Sequence, residues 1–271
     1  MEFNPSGMRL GFLGTGTITE AVVTGLCKTR FRGATIVVSP RSDKVAGRLA
    51  AAHDNVSIGS SNQDVLDRSD IVFMAVRPQI IEDVIGALEF RPDHHVISFV
   101  AAVALDRLWE LIVQPVRLSQ ALPLPFVADL QGATAIHPAD EVAEAVFSAL
   151  GTAVQVESKL HFDLLTTMSA LMGTYFGVLD AASGWAESRG LPRAASDAYL
   201  RQLFSGLAHV ATAKPTTSFI ELVSEHSTKG GLNEQVLADY EKLGGMDALQ
   251  KAFDGVLARL RPGETSVLQR V

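Results

Sequence analysis

Cysteine is almost absent from this chain. One residue, Cys27, occurs among 271, which excludes an intrachain disulfide and any metal centre built on cysteine pairs. It sits in a helical pattern beside Val22, Val23 and Leu26, as a small buried hydrophobe does. Basic charge is also in short supply: 23 Lys and Arg against 30 Asp and Glu leave a net charge of −7. With no cationic excess to displace counterions, the charge argues against binding nucleic acid through general electrostatics and leaves room only for a local basic pocket. No uninterrupted apolar run approaches the roughly 20 residues that span a bilayer, and residues 1–7 lack a signal peptide's apolar core. A cytoplasmic protein with no membrane partner is the expectation, its first seven residues a loose extension ahead of Met8. The histidines, His53, His94, His95, His137, His161, His209 and His226, show no metal-ligand spacing, so no metal is expected.

Hydrophobic residues, at 47%, are abundant enough for a large core or two smaller ones. From residue 8 to about 157, short β-branched runs alternate with amphipathic stretches. Strands are predicted at Arg9 to Gly14, Thr35 to Ser39, Ile71 to Val76, Val96 to Val100, Val116 to Ala121, Ala133 to His137 and Ala153 to Val156. Helices fall between them near 17–28, 43–53, 62–68, 78–88, 105–112 and 140–150. This order predicts an α/β fold, a Rossmann-type, doubly wound parallel sheet. Strand signals then stop, so the sequence divides into 1–158 and an all-α segment, 159–271. The latter opens with one long helix over 159–189, followed by helices near 193–213, 218–226, 232–243 and 246–260. Between Leu164 and Leu179 the long helix has almost no charge, so it needs cover on every side, and an intertwined homodimer through these helices provides it.

At the N-terminus, Met8-Arg-Leu-Gly-Phe-Leu-Gly14-Thr-Gly16-Thr-Ile-Thr19 carries a strand into a glycine turn and then a helix. Gly14 permits the tight turn, Gly16 admits a pyrophosphate against the backbone, and the N–H groups of Thr15, Thr17 and Ile18 face its charge. Thr19 stands where the fingerprint has its third glycine, a variation at a helix-packing position. The second strand ends Val38-Ser39-Pro40-Arg41-Ser42, without the carboxylate that accepts from an NAD ribose. Arg41 can pair with a 2′-phosphate, and Ser39 and Ser42 can donate to it, so NADP(H) is favoured over NAD(H).

Taken with the strand tip, with Ala75-Val76-Arg77-Pro78-Gln79 and with the run from Ile97 to Asp106, this turn resembles that of the pyrroline-5-carboxylate reductase family, which reduces a cyclic imine to proline with NAD(P)H. Gly11-Phe-Leu-Gly14-Thr-Gly16 matches the family's turn, and Ser39-Pro-Arg41-Ser42 its Asn-Arg-Ser clamp with Pro40 replacing Asn. Ala75-Val76-Arg77-Pro78-Gln79 matches Ala-Val-Lys-Pro-Gln, and Ile97-Ser-Phe-Val-Ala-Ala-Val-Ala-Leu-Asp106 tracks its fifth strand and loop. The resemblance implies that Ala75, Val76, Arg77, Pro78 and Ala101 line the nicotinamide side of a cofactor cleft.

Departures follow. The family's Met-Pro-Asn-Thr-Pro falls on Leu122-Pro-Leu124-Pro-Phe126, so its Asn becomes Leu124. Its Leu-Ser-Gly-Ser-Gly-Pro-Ala-Tyr falls on Met168-Ser169-Ala170-Leu171-Met172-Gly173-Thr174-Tyr175, which keeps Ser169 and Tyr175 but replaces small residues with Leu171 and Met172. The family's substrate loop, Ser-Pro-Gly-Gly-Thr-Thr, which holds a carboxylate, becomes Thr228-Lys229-Gly230-Gly231-Leu232-Asn233. Lys229 and the N–H groups of Gly230 and Gly231 still suit an anion.

Hydride transfer to an imine needs the two carbons held close and a proton at the nitrogen. Asn233, Tyr175 and Ser169 are the candidates for positioning that proton. The expected activity is reduction of a small imine, with a carboxylated substrate, and proline formation is the reference reaction. Two alternatives stand beside it: a related reductase of another imine or carbonyl compound, and a non-catalytic NADP-binding regulator suggested by the apolar Leu124 and Leu171. A 3-hydroxyacid dehydrogenase is disfavoured, because its catalytic lysine on the long helix has no counterpart between Phe162 and Glu187.

Overall fold

The computed structural model describes residues 5, 7–100 and 103–261. The chain forms two compact units, Met1–Thr166 and Thr167–Val271. In the first, eight strands alternate with helices: β1 (Arg9–Leu13), α1 (Thr17–Cys27), β2 (Thr35–Val38), α2 (Asp43–Ala52), β3 (Val56–Ile58), α3 (Asn62–Asp67), β4 (Ile71–Met74), α4 (Ile81–Gly86), β5 (His95–Ser98), α5 (Leu105–Ile112), β6 (Arg117–Pro123), β7 (Gly132–His137), α6 (Glu141–Ser148) and β8 (Gly151–Gln155). The sheet order is β3-β2-β1-β4-β5-β6-β7-β8. The first half is wound outward from β1 in both directions, so the carboxyl ends of β1, β2, β4 and β5 share one edge.

Strand residues alternate between two cores. Leu10, Phe12, Ile36, Phe73 and Ile97 pack on one face beneath α1 and α6, with Phe12 stacked on Phe73 at 4.5 Å. Leu13, Val37, Val72, Met74 and Val96 fill the other beneath α3, α4 and α5. Burial on both faces explains why these strands read as nearly continuous apolar runs rather than alternating ones.

The expectation of a wholly parallel sheet needs one correction. β6 and β7 are antiparallel, with Gln120 opposite His137 and Pro123 opposite Thr134. Only a short connection containing the 3-10 turn Pro125–Asp129 joins them, too little for the crossover that a parallel pair requires. β3, of three residues, was too short to stand out as a pattern.

Next come α7 (Lys159–Ser169), α8 (Leu171–Glu187), α9 (Arg193–Ala213), α10 (Phe219–His226), α11 (Leu232–Lys242) and α12 (Gly245–Leu260). The single helix expected over 159–189 is interrupted at Ala170, where Ala170 N–H turns to the Thr167 carbonyl, one residue short of helical register. The Thr166 hydroxyl donates to the Phe162 carbonyl at 2.8 Å, a back-bond that favours bending. From Lys159 to Glu187, α7, Ala170 and α8 make 29 residues that contain an 18-residue window of mean hydropathy 1.2, long and apolar enough by composition to cross a bilayer, with 17% of that window buried. This qualifies the expectation that no such stretch exists: Thr166, Thr167, Ser169 and Thr174 interrupt the apolar run without making the helix polar. α9 is pinned to α8 by the buried Ser183, whose hydroxyl lies 2.6 Å from Ser196 Oγ and donates to Asp197 Oδ1.

Asp140 joins three elements of the first unit. Its Oδ2 lies 2.6 Å from His95 Nε2 on β5, its Oδ1 accepts from Ala143 N–H to cap α6, and its own N–H donates to Gln155 Oε1 on β8. Burial works to raise the carboxyl's pKa, but the His95 bond and the N–H groups of Ala143 and Val142 outweigh it and hold it below the ordinary carboxylate range. A carboxylate with a depressed folded pKa stabilises the fold above its unfolded value, near 4, and that stabilisation is lost as pH falls through the lower folded value. Urea unfolding of Asp140→Ala is therefore expected to show a loss of about 1–2 kcal/mol at neutral pH. Between about pH 5 and 3 the stability of Asp140→Asn should fall less steeply than that of the wild type. Equal acid slopes would remove Asp140 from this role.

Candidate functional site

The turn after β1 is shaped by one steric fact. Gly14 has φ +95°, and a Cβ there would lie 2.6 Å from the Ala75 carbonyl oxygen and 3.0 Å from Val76 N, at the end of the neighbouring β4. The backbone of the turn thus rests directly on the loop that holds Ala75 and Val76. Gly16, exposed, caps α1 with no side-chain acceptor, and a Cβ on it would meet nothing within 4 Å. Among the described residues, the N–H groups of Thr15, Gly16 and Thr17 have no acceptor. A helix of 11 residues therefore presents an open, uncapped first turn beside free space, the arrangement that accepts an anionic group.

Beneath the turn lie three buried hydroxyls. Thr19 Oγ1 donates to the Gly14 carbonyl at 2.6 Å, Gly14 N–H donates to Ser39 Oγ at 2.9 Å, and Thr15 Oγ1 donates to the Ser39 carbonyl at 2.6 Å. Thr15 and Ser39 hydroxyls also approach to 3.0 Å, and with the Thr15 proton already on the carbonyl, Ser39 supplies the donor there. Ser39 is fully buried and its hydroxyl is engaged on both sides, so it supports the turn from below. Sequence reading had grouped it with the outward phosphate donors; nothing in sequence distance linked residue 39 to residue 14.

At the tip of β2, Arg41 is exposed and forms no ion pair among the described residues, while Ser42 caps α2 without using its hydroxyl. Asp43 is the first residue of α2, and no carboxylate stands at the tip itself. After β4, Ala75 N–H donates to the Leu13 carbonyl, and Ala75 and Val76 are half-buried. Arg77 is exposed and precedes the 3-10 turn opened by Pro78. Ala101 lies outside the described residues. Its flanks are held by a residue that sequence reading missed: buried Gln120 donates from Nε2 to the carbonyls of Val100, at 2.9 Å, and Val103, at 2.8 Å. The available signal was a polar Ser119-Gln120 pair inside a strand.

The first unit thus gathers Gly14, Thr15, Gly16, Thr17, Ile18, Arg41, Ser42, Ala75, Val76, Arg77 and Pro78 at the carboxyl ends of β1, β2 and β4. The second unit holds the remaining candidates. Ser169 ends α7. Tyr175, on α8, packs edge-on against Phe176 and Phe204, at 5.1 and 5.5 Å, and lines a cavity of about 410 Å³ with Asp180, Arg193 and Asp197.

In the Thr228–Asn233 loop, Gly230 has φ +74° and Gly231 caps α11. Both glycine N–H groups already have acceptors: Gly230 donates to Glu234 Oε2 at 2.6 Å and Gly231 to the Thr228 carbonyl at 2.8 Å. The Asn233 amide donates to the His226 carbonyl at 2.7 Å, and Lys229 is exposed without an ion pair among the described residues. Glu234 was not singled out from sequence, although a Glu three residues after the cap is a recognised signal for reaching back over a helix start.

Replacing Gly14 tests the steric fact on which the turn rests. Gly14→Ala is expected to weaken dinucleotide binding at least about tenfold in calorimetric titration, because the new Cβ meets backbone and the residue needs a left-handed φ. Gly16→Ala, which meets no protein atom, should leave the unfolding midpoint of the protein unchanged.

Two family models match the chain. Residues 9–102 match the family described as NADP oxidoreductase coenzyme F420-dependent, and residues 159–262 match pyrroline-5-carboxylate reductase dimerisation. The pyrroline-5-carboxylate reductase of Vibrio alginolyticus is 23% identical over 263 residues, covering 93% of this chain and 96% of that protein. Among solved structures, the 1-pyrroline-5-carboxylate reductase of Streptococcus pyogenes superposes with a TM-score of 0.81 at 22% identity, covering 94% of this chain and 98% of that one. The NADP-bound pyrroline carboxylate reductase of Plasmodium falciparum superposes with 0.77 at 18% identity, covering 94% and 98%. A matched oxidoreductase segment, a matched dimerisation segment and relatives aligned along nearly the whole length support kinship with the pyrroline-5-carboxylate reductase family, of which this chain is a divergent relative.

Proposed function

We propose that this protein is an NADPH-dependent oxidoreductase that reduces a small imine, with pyrroline-5-carboxylate, the compound for which its relatives are named, as the first candidate substrate. The observation that carries the reading is the uncapped turn at Gly16 beside an unpaired Arg41 and no carboxylate at the β2 tip. The turn's free N–H groups receive a pyrophosphate, and Arg41, with the unused Ser42 hydroxyl, receives a 2′-phosphate. Ala75, Val76, Arg77 and Pro78 line the nicotinamide side. A bound reduced nicotinamide supplies the hydride. The chain's own residues then orient the imine and place a proton at its nitrogen, the role assigned to Tyr175, Ser169 and Asn233. Because an imine near its own pKa is already partly protonated at neutral pH, a hydrogen-bonding group suffices and no strong acid is required.

The assembly in this proposal is a homodimer through the second unit. Exposed Phe176, Trp185, Phe219 and Ile220, at 60%, 61%, 80% and 72%, require cover, and the match of residues 159–262 to a dimerisation family supports a second copy of this chain rather than lipid as that cover. Light scattering on the eluting protein is expected to return twice the chain mass.

A second reading is favoured by one contact. The Glu234 carboxylate on Gly230 N–H places a negative charge where a substrate carboxylate would bind, so an imine without a carboxylate competes with pyrroline-5-carboxylate as the substrate. Lys229 opposes it, since a free cation beside the loop favours the carboxylated compound. Loss of NADPH absorbance with pyrroline-5-carboxylate and with 1-pyrroline separates them. Turnover of the first supports the leading reading, turnover of 1-pyrroline alone supports the second, and turnover of neither refutes both. For the cofactor, Arg41→Ala is expected to weaken NADPH binding by about 10- to 100-fold and leave NADH binding within about twofold. Equal losses for both nucleotides would remove Arg41 from the 2′-phosphate.

A further inference from the structure

Three hydroxyls and one glycine form a closed set of hydrogen bonds below the nucleotide turn. The chain runs Thr19 Oγ1–H to Gly14 C=O, Gly14 N–H to Ser39 Oγ, Ser39 Oγ–H to Thr15 Oγ1 and Thr15 Oγ1–H to Ser39 C=O. Every proton has one acceptor, and Thr15, Thr19 and Ser39 are 3%, 0% and 0% exposed. Both polar groups of the Gly14 peptide positions are thereby taken by side chains from outside the turn. Nothing in this set faces outward. Among the described residues, the N–H groups of Thr15, Gly16 and Thr17 are left without acceptors, and a Cβ on Gly16 would meet nothing within 4 Å.

We propose that Thr19 is a positioning residue of the cofactor turn. It occupies the place of the third fingerprint glycine and performs by hydrogen bonding what that glycine performs by allowing close packing. A glycine there lets helix and strand approach but leaves the Gly14 carbonyl to find its own partner. Thr19, fully buried, holds that carbonyl inward, which fixes the Gly14–Thr15 peptide plane and so the direction of the Thr15 N–H. Ser39 fixes the preceding plane through Gly14 N–H. The consequence runs against the motif: Thr19→Gly, which completes G-x-G-x-x-G, weakens dinucleotide binding in this chain instead of improving it. The inference rests on the reading of this turn as the dinucleotide site.

The test is the dissociation constant of NADPH, measured by calorimetric titration of the full-length protein and of Thr19→Gly, Thr19→Val and Thr19→Ser, with each variant's thermal midpoint recorded. Thr19→Val keeps the volume and removes the hydroxyl, so it separates positioning from packing. Val and Gly are expected to raise the dissociation constant about tenfold, the size of losing a buried hydrogen bond that leaves a carbonyl unpaired, and Ser to restore it to within about threefold of wild type. Val or Gly binding NADPH as tightly as wild type would overturn the proposal, as would Ser binding no better than Val. If wild type bound neither NADPH nor NADH, the dinucleotide site itself would fall and this proposal with it, an outcome distinct from normal wild-type binding with unaffected variants.

Discussion

There is no room for a side chain at residue 14. The Ala75 carbonyl stands where a Cβ would go, and the backbone takes a left-handed φ that glycine alone adopts without strain. That contact brings the end of β1 onto the end of β4, and the chain must turn at once into α1. Turning so sharply leaves the start of α1 without a capping side chain, and its N–H groups face open space. The positive end of the helix then sets the chemistry of the edge, because an uncapped first turn favours negative charge. The neighbouring β2 tip adds an unpaired guanidinium at Arg41 and withholds the carboxylate that would repel a phosphate. One steric exclusion and one missing acid are what the proposed NADPH site rests on.

The features legible in the sequence are those that depend on near neighbours. The glycine turn, the charge at the β2 tip and the strands buried on both faces were visible as patterns of a few residues. Contacts set by the fold were not. Ser39 looked like a phosphate donor because it sits at a strand tip, but its hydroxyl points back to Gly14, 25 residues earlier, through the pairing of β1 with β2. Gln120 was invisible as the support of Val100 and Val103 because that link needs β6 beside β5. The antiparallel β7 escaped because strand signals carry no direction, and only the short β6–β7 connection constrains it.

The second unit shows the same division. Its lack of charge was plain from composition, and the small departure at Ala170 was not, since the apolar pattern runs on through it. The Gly230-Gly231 pair was visible, while the Glu234 carboxylate that reaches back to it depended on how α11 begins. This loop and the hydroxyls under Gly14 lead to different kinds of specificity. The first unit's polar groups are arranged inward to leave N–H donors outward, and the second unit's loop uses its own donors internally.

The central claim is that the edge above Gly14 presents a nicotinamide for transfer to an imine carbon. Its most direct test uses NADPH carrying deuterium at both C4 positions, with pyrroline-5-carboxylate and 1-pyrroline in separate reactions, and reads the product amine by mass spectrometry. The account predicts a product one mass unit heavier, with the label on the former imine carbon. An unlabelled product, or none from either imine while the protein binds NADPH, would contradict it.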